Sequence, residues 1–119
     1  MIKTTSLETS KLLKSAGWTK VCHEKEIWDE WGIIYKPNTD ELLEELPKLI
    51  KKDCGYERKN KEEPQIVDWY FEIKFREGKW EVGYHWYYYE YMDGFTQKNE
   101  SLPEALAQMW LWHKKENLI

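Results

Sequence analysis

An alternation constrains this chain more than any other feature. Val67, Trp69, Phe71, Ile73 and Phe75 are apolar, while Asp68, Tyr70, Glu72, Lys74 and Arg76 between them are charged or amphipathic. Successive strand side chains point to opposite faces, so a period of two predicts a strand with one dry face. Trp80, Val82, Tyr84, Trp86 and Tyr88 repeat the pattern after the short segment "REGK". Gly78 in that segment accepts the positive φ of a tight hairpin turn. Closing the turn on Glu77-Gly78 sets the register. Phe75 then faces Trp80, Ile73 faces Val82, Phe71 faces Tyr84, Trp69 faces Trp86 and Val67 faces Tyr88, all on one side. On the other side Lys74 opposes Glu81, a cross-strand pair worth ~0.2–1 kcal/mol. Tyr70 opposes His85 there, and Asp68 opposes Tyr87. A slip of one residue would turn a whole apolar set toward water, so pattern and turn specify the same hairpin.

A second two-residue turn signal, Asp93-Gly94, predicts a short strand over Phe95–Gln97 that folds back on the long one. Three helices complete the reading. The first spans Ser6–Ala16, with Thr5 and Glu8 at capping-box spacing and Gly17 as its left-handed stop. The second starts at Asn38, with Glu41 three residues on and acidic residues in the first turn. Its apolar positions Leu42, Leu43, Leu46, Leu49 and Ile50 recur at helical spacing, and Pro47 either kinks or ends it. Lys51 and Lys52 suit a nearby helix C-terminus. The third runs from a Ser101 cap with Pro103 in its first turn and Glu104 completing a capping box. Its apolar face is Leu102, Ala105, Leu106, Met109, Trp110 and Trp112, and Asn117 is its left-handed stop. Residues 18–36 suggest short strands at "WTKVCH" and "WGIIYK" with the acidic "EKEIWDE" as the turn between them. "DCGYERKNKEEPQ" reads as a polar loop.

These elements predict a single α+β domain over residues 1–119. An antiparallel sheet of three to five strands, with its long hairpin at 67–91, packs with about three helices. The helices from Thr39 and Leu102 are expected on the dry face, with the first helix as a third partner or as a cover for the opposite face. A chain of 119 residues buries a core of its own, and 34% charged with 41% hydrophobic residues excludes a disordered or membrane-embedded chain. The start "MIKTTSLETS" lacks the apolar core of a secretory signal, so a cytosolic location is expected.

The net charge of −4 disfavours nucleic acid as a partner, because phosphate contact needs a basic face. No apolar run reaches bilayer length, so no membrane partner is expected. The charge is uneven. Between Glu24 and Glu45 eight carboxylates stand against Lys25 and Lys36, which repels phosphate and suits a basic partner or simple solvation. Glycine-rich phosphate loops and nucleophile elbows are missing. His23, His85 and His113 stand far apart, and Cys22, His23 and Asp29 have poor ligand spacing for zinc. No cofactor or metal is expected. Cys22 and Cys54 read as ordinary reduced thiols.

The segments "SLETSKLLKSAGW", "NTDELLEELPKLI" and "SLPEALAQMWLWHKKENLI" resemble a group of small phage and prophage proteins. That group has a helix ending in "AG" plus an aromatic, a "TDELLEELP"-like helix and a final "ALAxMWLWxKKExxLI"-like helix. The resemblance spans most of the chain in order and rests on helix-core and capping residues. It implies a small α+β accessory protein of unknown function from a phage or prophage, acting in a bacterial cytoplasm. No catalytic residues come with it.

Eight tryptophans exceed what a small core needs, and tyrosine and tryptophan suit interfaces. Half of the aromatics in "EVGYHWYYYEYMDGF" belong to the dry face. The other parity places His85, Tyr87 and Tyr89 beside Tyr70. With Trp28, Trp31, Asp29 and Glu30 these are the candidate binding residues of a non-enzymatic protein–protein interaction module. Its expected partner is a host protein or a second copy of the chain. The alternatives are a small-ligand, nucleotide-like binder that stacks bases on the aromatic patch, and a small hydrolase centred on His85 and Asp68. No catalytic residue is assigned.

Overall fold

The long hairpin forms in the expected register. Strand β4 (Ile66–Arg76) pairs antiparallel with β5 (Lys79–His85), joining Tyr70 to His85, Phe71 to Tyr84, Ile73 to Val82 and Phe75 to Trp80. Glu77 and Gly78 have φ of 55° and 77°, both in the left-handed region, as a type I′ turn requires. The structure, a computed structural model, describes residues 3–28, 30–53, 66–85 and 96–119. The expected pairs of Trp69 with Trp86 and Val67 with Tyr88, the Asp93-Gly94 turn and the polar loop after Asp53 lie outside the described residues.

The fold is α+β. Helix α1 (Leu7–Ser15) leads to a ribbon of β1 (Lys25–Trp28) and β2 (Gly32–Tyr35), then to α2 (Thr39–Glu45) and β3 (Leu49–Asp53). After β4 and β5 come β6 (Thr96–Asn99) and α3 (Leu102–Lys115). Strands β3-β4-β5-β6 form one antiparallel sheet, and β1-β2 form a separate two-stranded one. Helix α3 lies across β5 and β6, α2 packs mainly against α3, and α1 packs against α3 and β2. Leu13, Leu42, Leu46, Ile50, Trp69, Val82, Leu106 and Met109 meet in the core. Trp18 joins them edge-on to Trp110, with ring centroids 5.1 Å apart. At the turn end the apolar row outlasts its cover. Phe75 stays exposed, with its ring 4.9 Å from that of Trp80.

Four expectations are corrected. Helix α2 ends at Glu45 because Pro47 holds Leu46 extended, at φ −98° and ψ 127°. Leu49 and Ile50 therefore belong to β3, where Leu49 pairs with Tyr70 and Ile50 with Trp69, and Lys51 and Lys52 are strand residues. In the ribbon the first strand is Lys25–Trp28, inside the acidic segment read as a turn. Residues 18–23 make no strand, since Trp18 Nε1 and Cys22 Sγ both bond locally to the Lys20 carbonyl. Lys74 opposes Glu81 in register, but its ammonium lies 3.1 Å from Glu72 while Glu81 meets Lys98 at 3.5 Å.

The fourth correction concerns two caps. The cap of α1 is Ser6, whose hydroxyl accepts from Thr9 N at 3.1 Å; Thr5 is buried, its hydroxyl 2.6 Å from that of Ser10. Thr9 is too short to return a bond to the Ser6 N–H, as a glutamate at that position would. Glu104 of α3 does so instead. Its carboxylate accepts from Ser6 N and from the Thr9 hydroxyl, each at 2.5 Å. The capping box of α1 is thus completed by a residue on another helix. Glu104 is correspondingly not the reciprocal partner of Ser101, whose N–H goes to Asn99 Oδ1 at 2.9 Å. Caps at the other ends follow the sequence. Asn38 and Glu41 form a full capping box, and Gly17 (φ 104°) and Asn117 (φ 58°) close α1 and α3.

One polar chain crosses the core. The Tyr84 hydroxyl donates to the Pro47 carbonyl at 2.6 Å and lies 2.9 Å from His113 Nε2. With its proton directed at Pro47, the hydroxyl accepts from His113 Nε2–H, which leaves Nδ1 as a bare lone pair. Nδ1 is buried without a partner, and an orphaned acceptor is less costly there than an orphaned N–H. Burial lowers the His113 pKa to about 4 and raises that of Tyr84.

Two predictions follow from these contacts. The unfolded chain takes up a proton at His113 near the ordinary value of 6.5, the folded chain only near 4. The stability that neutral His113 contributes is therefore present above about pH 6.5 and lost as pH falls through about 4, up to ~3 kcal/mol. Denaturant titrations across this range should show a steeper loss in the wild type than in His113→Phe, and equal slopes would contradict the assignment. Glu104→Ala should cost ~2 kcal/mol by freeing Ser6 N and the Thr9 hydroxyl, with Thr9→Val costing less. A double-mutant cycle of the two should show coupling, and strictly additive losses would mean the bridge is not made.

Candidate interaction surface

The sheet has an open face and a covered one. Across the open face the register sets Leu49, Tyr70 and His85 in one row, and Lys74, Glu81 and Lys98 in another. Tyr70 is 47% exposed, and its ring centroid lies 6.5 Å from that of His85 at a tilt of 47°. This geometry offers no parallel slot for a planar ligand. The carboxylate set against His85 is Glu72, with Oε2 2.8 Å from Nδ1. The contact is not aligned as a hydrogen bond, so its attraction is that of charge when the imidazole is protonated. Glu72 also meets Lys74, and Glu81 meets Lys98, so the charges of this face satisfy one another. Of the expected patch, the structure brings Tyr70 and His85 together; Tyr87 and Tyr89 lie outside the described residues.

The β1–β2 ribbon is different. Trp31 N donates to Trp28 O at 3.2 Å and Gly32 follows at φ 70°, the arrangement of a three-residue hairpin loop with a left-handed glycine. Trp28 and Ile34 lie on its inner face. Ile34 is fully buried, Lys11 of α1 stands 3.9 Å over the Trp28 ring, and Lys14 Nζ donates to Ile33 O at 2.9 Å. Two lysines of α1 therefore clamp the ribbon from one side. The outer face carries Ile27 and Ile33, directly opposite each other and exposed by 76% and 41%. Trp31 and Glu30 are exposed at the turn, while Asp29 lies outside the described residues.

Sequence reasoning located the ribbon turn through Trp28, Trp31 and Glu30 but missed Ile27 and Ile33. A signal existed. Ile33 and Ile34 are adjacent in one strand, so they point to opposite faces, and a ribbon with a single covered side must leave one of them outside.

Two other features carry less. A cleft of about 360 Å³ lies between Thr4, Ser6, Lys36, Asn99, Ser101 and Glu104, where the N-termini of α1 and α3 converge. The positive potential of those termini is already met by the Glu104 carboxylate. Cys22 is buried, which pushes its thiol up to about 11 and keeps it protonated and unreactive. Cys54 lies outside the described residues. Among the described residues no three His, Cys, Asp or Glu side chains gather as metal ligands, and no helix is long and apolar enough to cross a membrane.

Comparison with protein-family models, curated proteins and solved structures finds no match to this chain. The chemistry of the site therefore has to be argued from its own residues.

The two faces of the ribbon should respond oppositely to mutation. Ile34→Ala should lose ~2–4 kcal/mol of stability, because it empties a fully buried site. Ile27→Ser should change stability by less than about 0.5 kcal/mol, being exposed. Thermal melts of the two variants decide it, and a large loss in Ile27→Ser would show that the outer face is packed.

Proposed function

We propose that this chain is a non-enzymatic protein–protein interaction module that docks a host protein through the outer face of the β1–β2 ribbon. The observation that carries the reading is the Ile27–Ile33 pair. Two β-branched apolar side chains stand in water on a ribbon whose other face is clamped to α1. Isolated exposed apolar residues are ordinary on a protein surface, but paired ones next to an exposed tryptophan suit a contact that removes them from water. Burying one such side chain is worth ~1.5–3 kcal/mol, enough for a small face to matter in binding.

The acidic surroundings support a protein partner over a phosphate-bearing one. Glu24, Glu26 and Glu30 border the ribbon, and a nucleic acid or an anionic lipid surface would be repelled. The resemblance of the helices to phage and prophage accessory proteins supports a bacterial cytoplasm as the place of action and a host protein as the partner.

The test compares the wild type with Ile27→Ser/Ile33→Ser as baits in bacterial lysate, with Tyr70→Ala as the control for the open sheet face. A protein retained by the wild type and by Tyr70→Ala, but lost by the ribbon variant at unchanged melting temperature, is the expected result. Retention that depends on Tyr70 and ignores the ribbon would overturn the choice of surface.

A further inference from the structure

The ribbon has two edges, and they are not equivalent. Lys36 N donates to Glu24 O at 2.9 Å, which makes that pair hydrogen-bonded. Antiparallel pairs alternate between bonded and non-bonded, so Glu26 with Ile34 is bonded and Lys25 with Tyr35 and Ile27 with Ile33 are not. The N–H and C=O groups of residues 25, 27, 33 and 35 therefore point away from the ribbon, to its two outer edges. On the β2 side, Lys14 from α1 occupies the Ile33 carbonyl. On the β1 side, no described strand pairs with Lys25 or Ile27. Their backbone groups form a short open edge, beside the exposed side chain of Ile27.

We infer that this edge of β1 receives an extended, basic segment of a partner protein as an added antiparallel strand, with apolar and Lys/Arg residues alternating along it; the inference rests on the interaction-module reading above. The side-chain pattern of β1 dictates the alternation. Ile27 lies on the outer face, so the residue opposite it in an added strand lies there too and is apolar. Glu24 and Glu26 lie on the other face, so the residues opposite them are basic. Main-chain bonds would supply the affinity and the alternating side chains the selectivity. A second copy of the chain is a poor occupant. Pairing β1 with itself about Glu26 sets two carboxylates directly opposite, and each copy brings the acidic border of the ribbon against that of the other.

The test uses the full chain and a synthetic peptide of about ten residues, a length that spans the short strand, with valine and lysine alternating. In an antiparallel added strand the valine N–H groups face β1 and the lysine N–H groups face solvent. N-methylation of the valines should weaken binding about tenfold or more, and N-methylation of the lysines by no more than about twofold, since only the former removes donors from the ladder. A glutamate–valine peptide should not bind, and the amides of Lys25 and Ile27 should gain protection from hydrogen exchange in the complex.

Equal binding of both N-methylated peptides, equal binding of the acidic peptide, or failure of the valine–lysine peptide to bind would each overturn strand addition. These failures are separable from failure of the module itself. If the lysate partner is still lost on Ile27→Ser/Ile33→Ser while the peptide fails, the surface stands and only the mode of docking is wrong. If the partner is retained by that variant, the surface is wrong as well.

Discussion

The carboxylate of Glu104 governs the placement of everything functional in this molecule. It sits in the first turn of α3 and yet completes the cap of α1, so the two helices share one anion at their positive ends. That bond sets where α1 begins and so how its following turns are presented. Lys11 and Lys14, one and two turns on, then reach the ribbon, the first over Trp28 and the second on the Ile33 carbonyl. The ribbon has no other extensive cover; a two-stranded hairpin alone is marginal in water. Its inner face is therefore dry because α1 is where it is, and its outer face is bare for the same reason.

A second long-range contact fixes the other half. The Tyr84 hydroxyl joins the carbonyl of Pro47, just past α2, to His113 near the end of α3. Pro47 ends α2 and sends the chain into β3, so its carbonyl has no helical donor to take. Tyr84 supplies one from the centre of the sheet. A buried polar chain of this kind favours one arrangement of helix, turn and strand over neighbouring packings, because any shift leaves a desolvated group without its partner.

How much of this was legible in the sequence depended on the range of the interaction responsible. The β4–β5 hairpin was readable because two local patterns, alternation and turn, had to agree. The Asn38–Glu41 box and the Gly17 and Asn117 stops are likewise complete within a few residues. The cap of α1 was misplaced onto Thr5 and Glu8 because its true completing residue is 95 positions away from Thr9. Strand β3 was hidden since Leu49 and Ile50 happen to continue the helical spacing of Leu42 and Leu46. Only the unpaired edge of β4 shows why they extend instead. At the site, Trp28 and Trp31 drew attention to the ribbon, but the more exposed apolar pair is aliphatic and was passed over in favour of aromatics.

The clamp on one face also bears on the energetics of docking at the other. An extended peptide that meets a flexible ribbon must order both strands at once, a cost that consumes much of the gain from a few main-chain bonds. Here the strand that would act as template already has its conformation imposed by the turn at Gly32, the ladder to β2 and the two lysines of α1. Only the incoming segment loses freedom, and a short edge can then suffice. The same rigidity raises selectivity, since a fixed Ile27 and a fixed pair of glutamates on opposite faces penalise any segment whose alternation is out of phase by one residue.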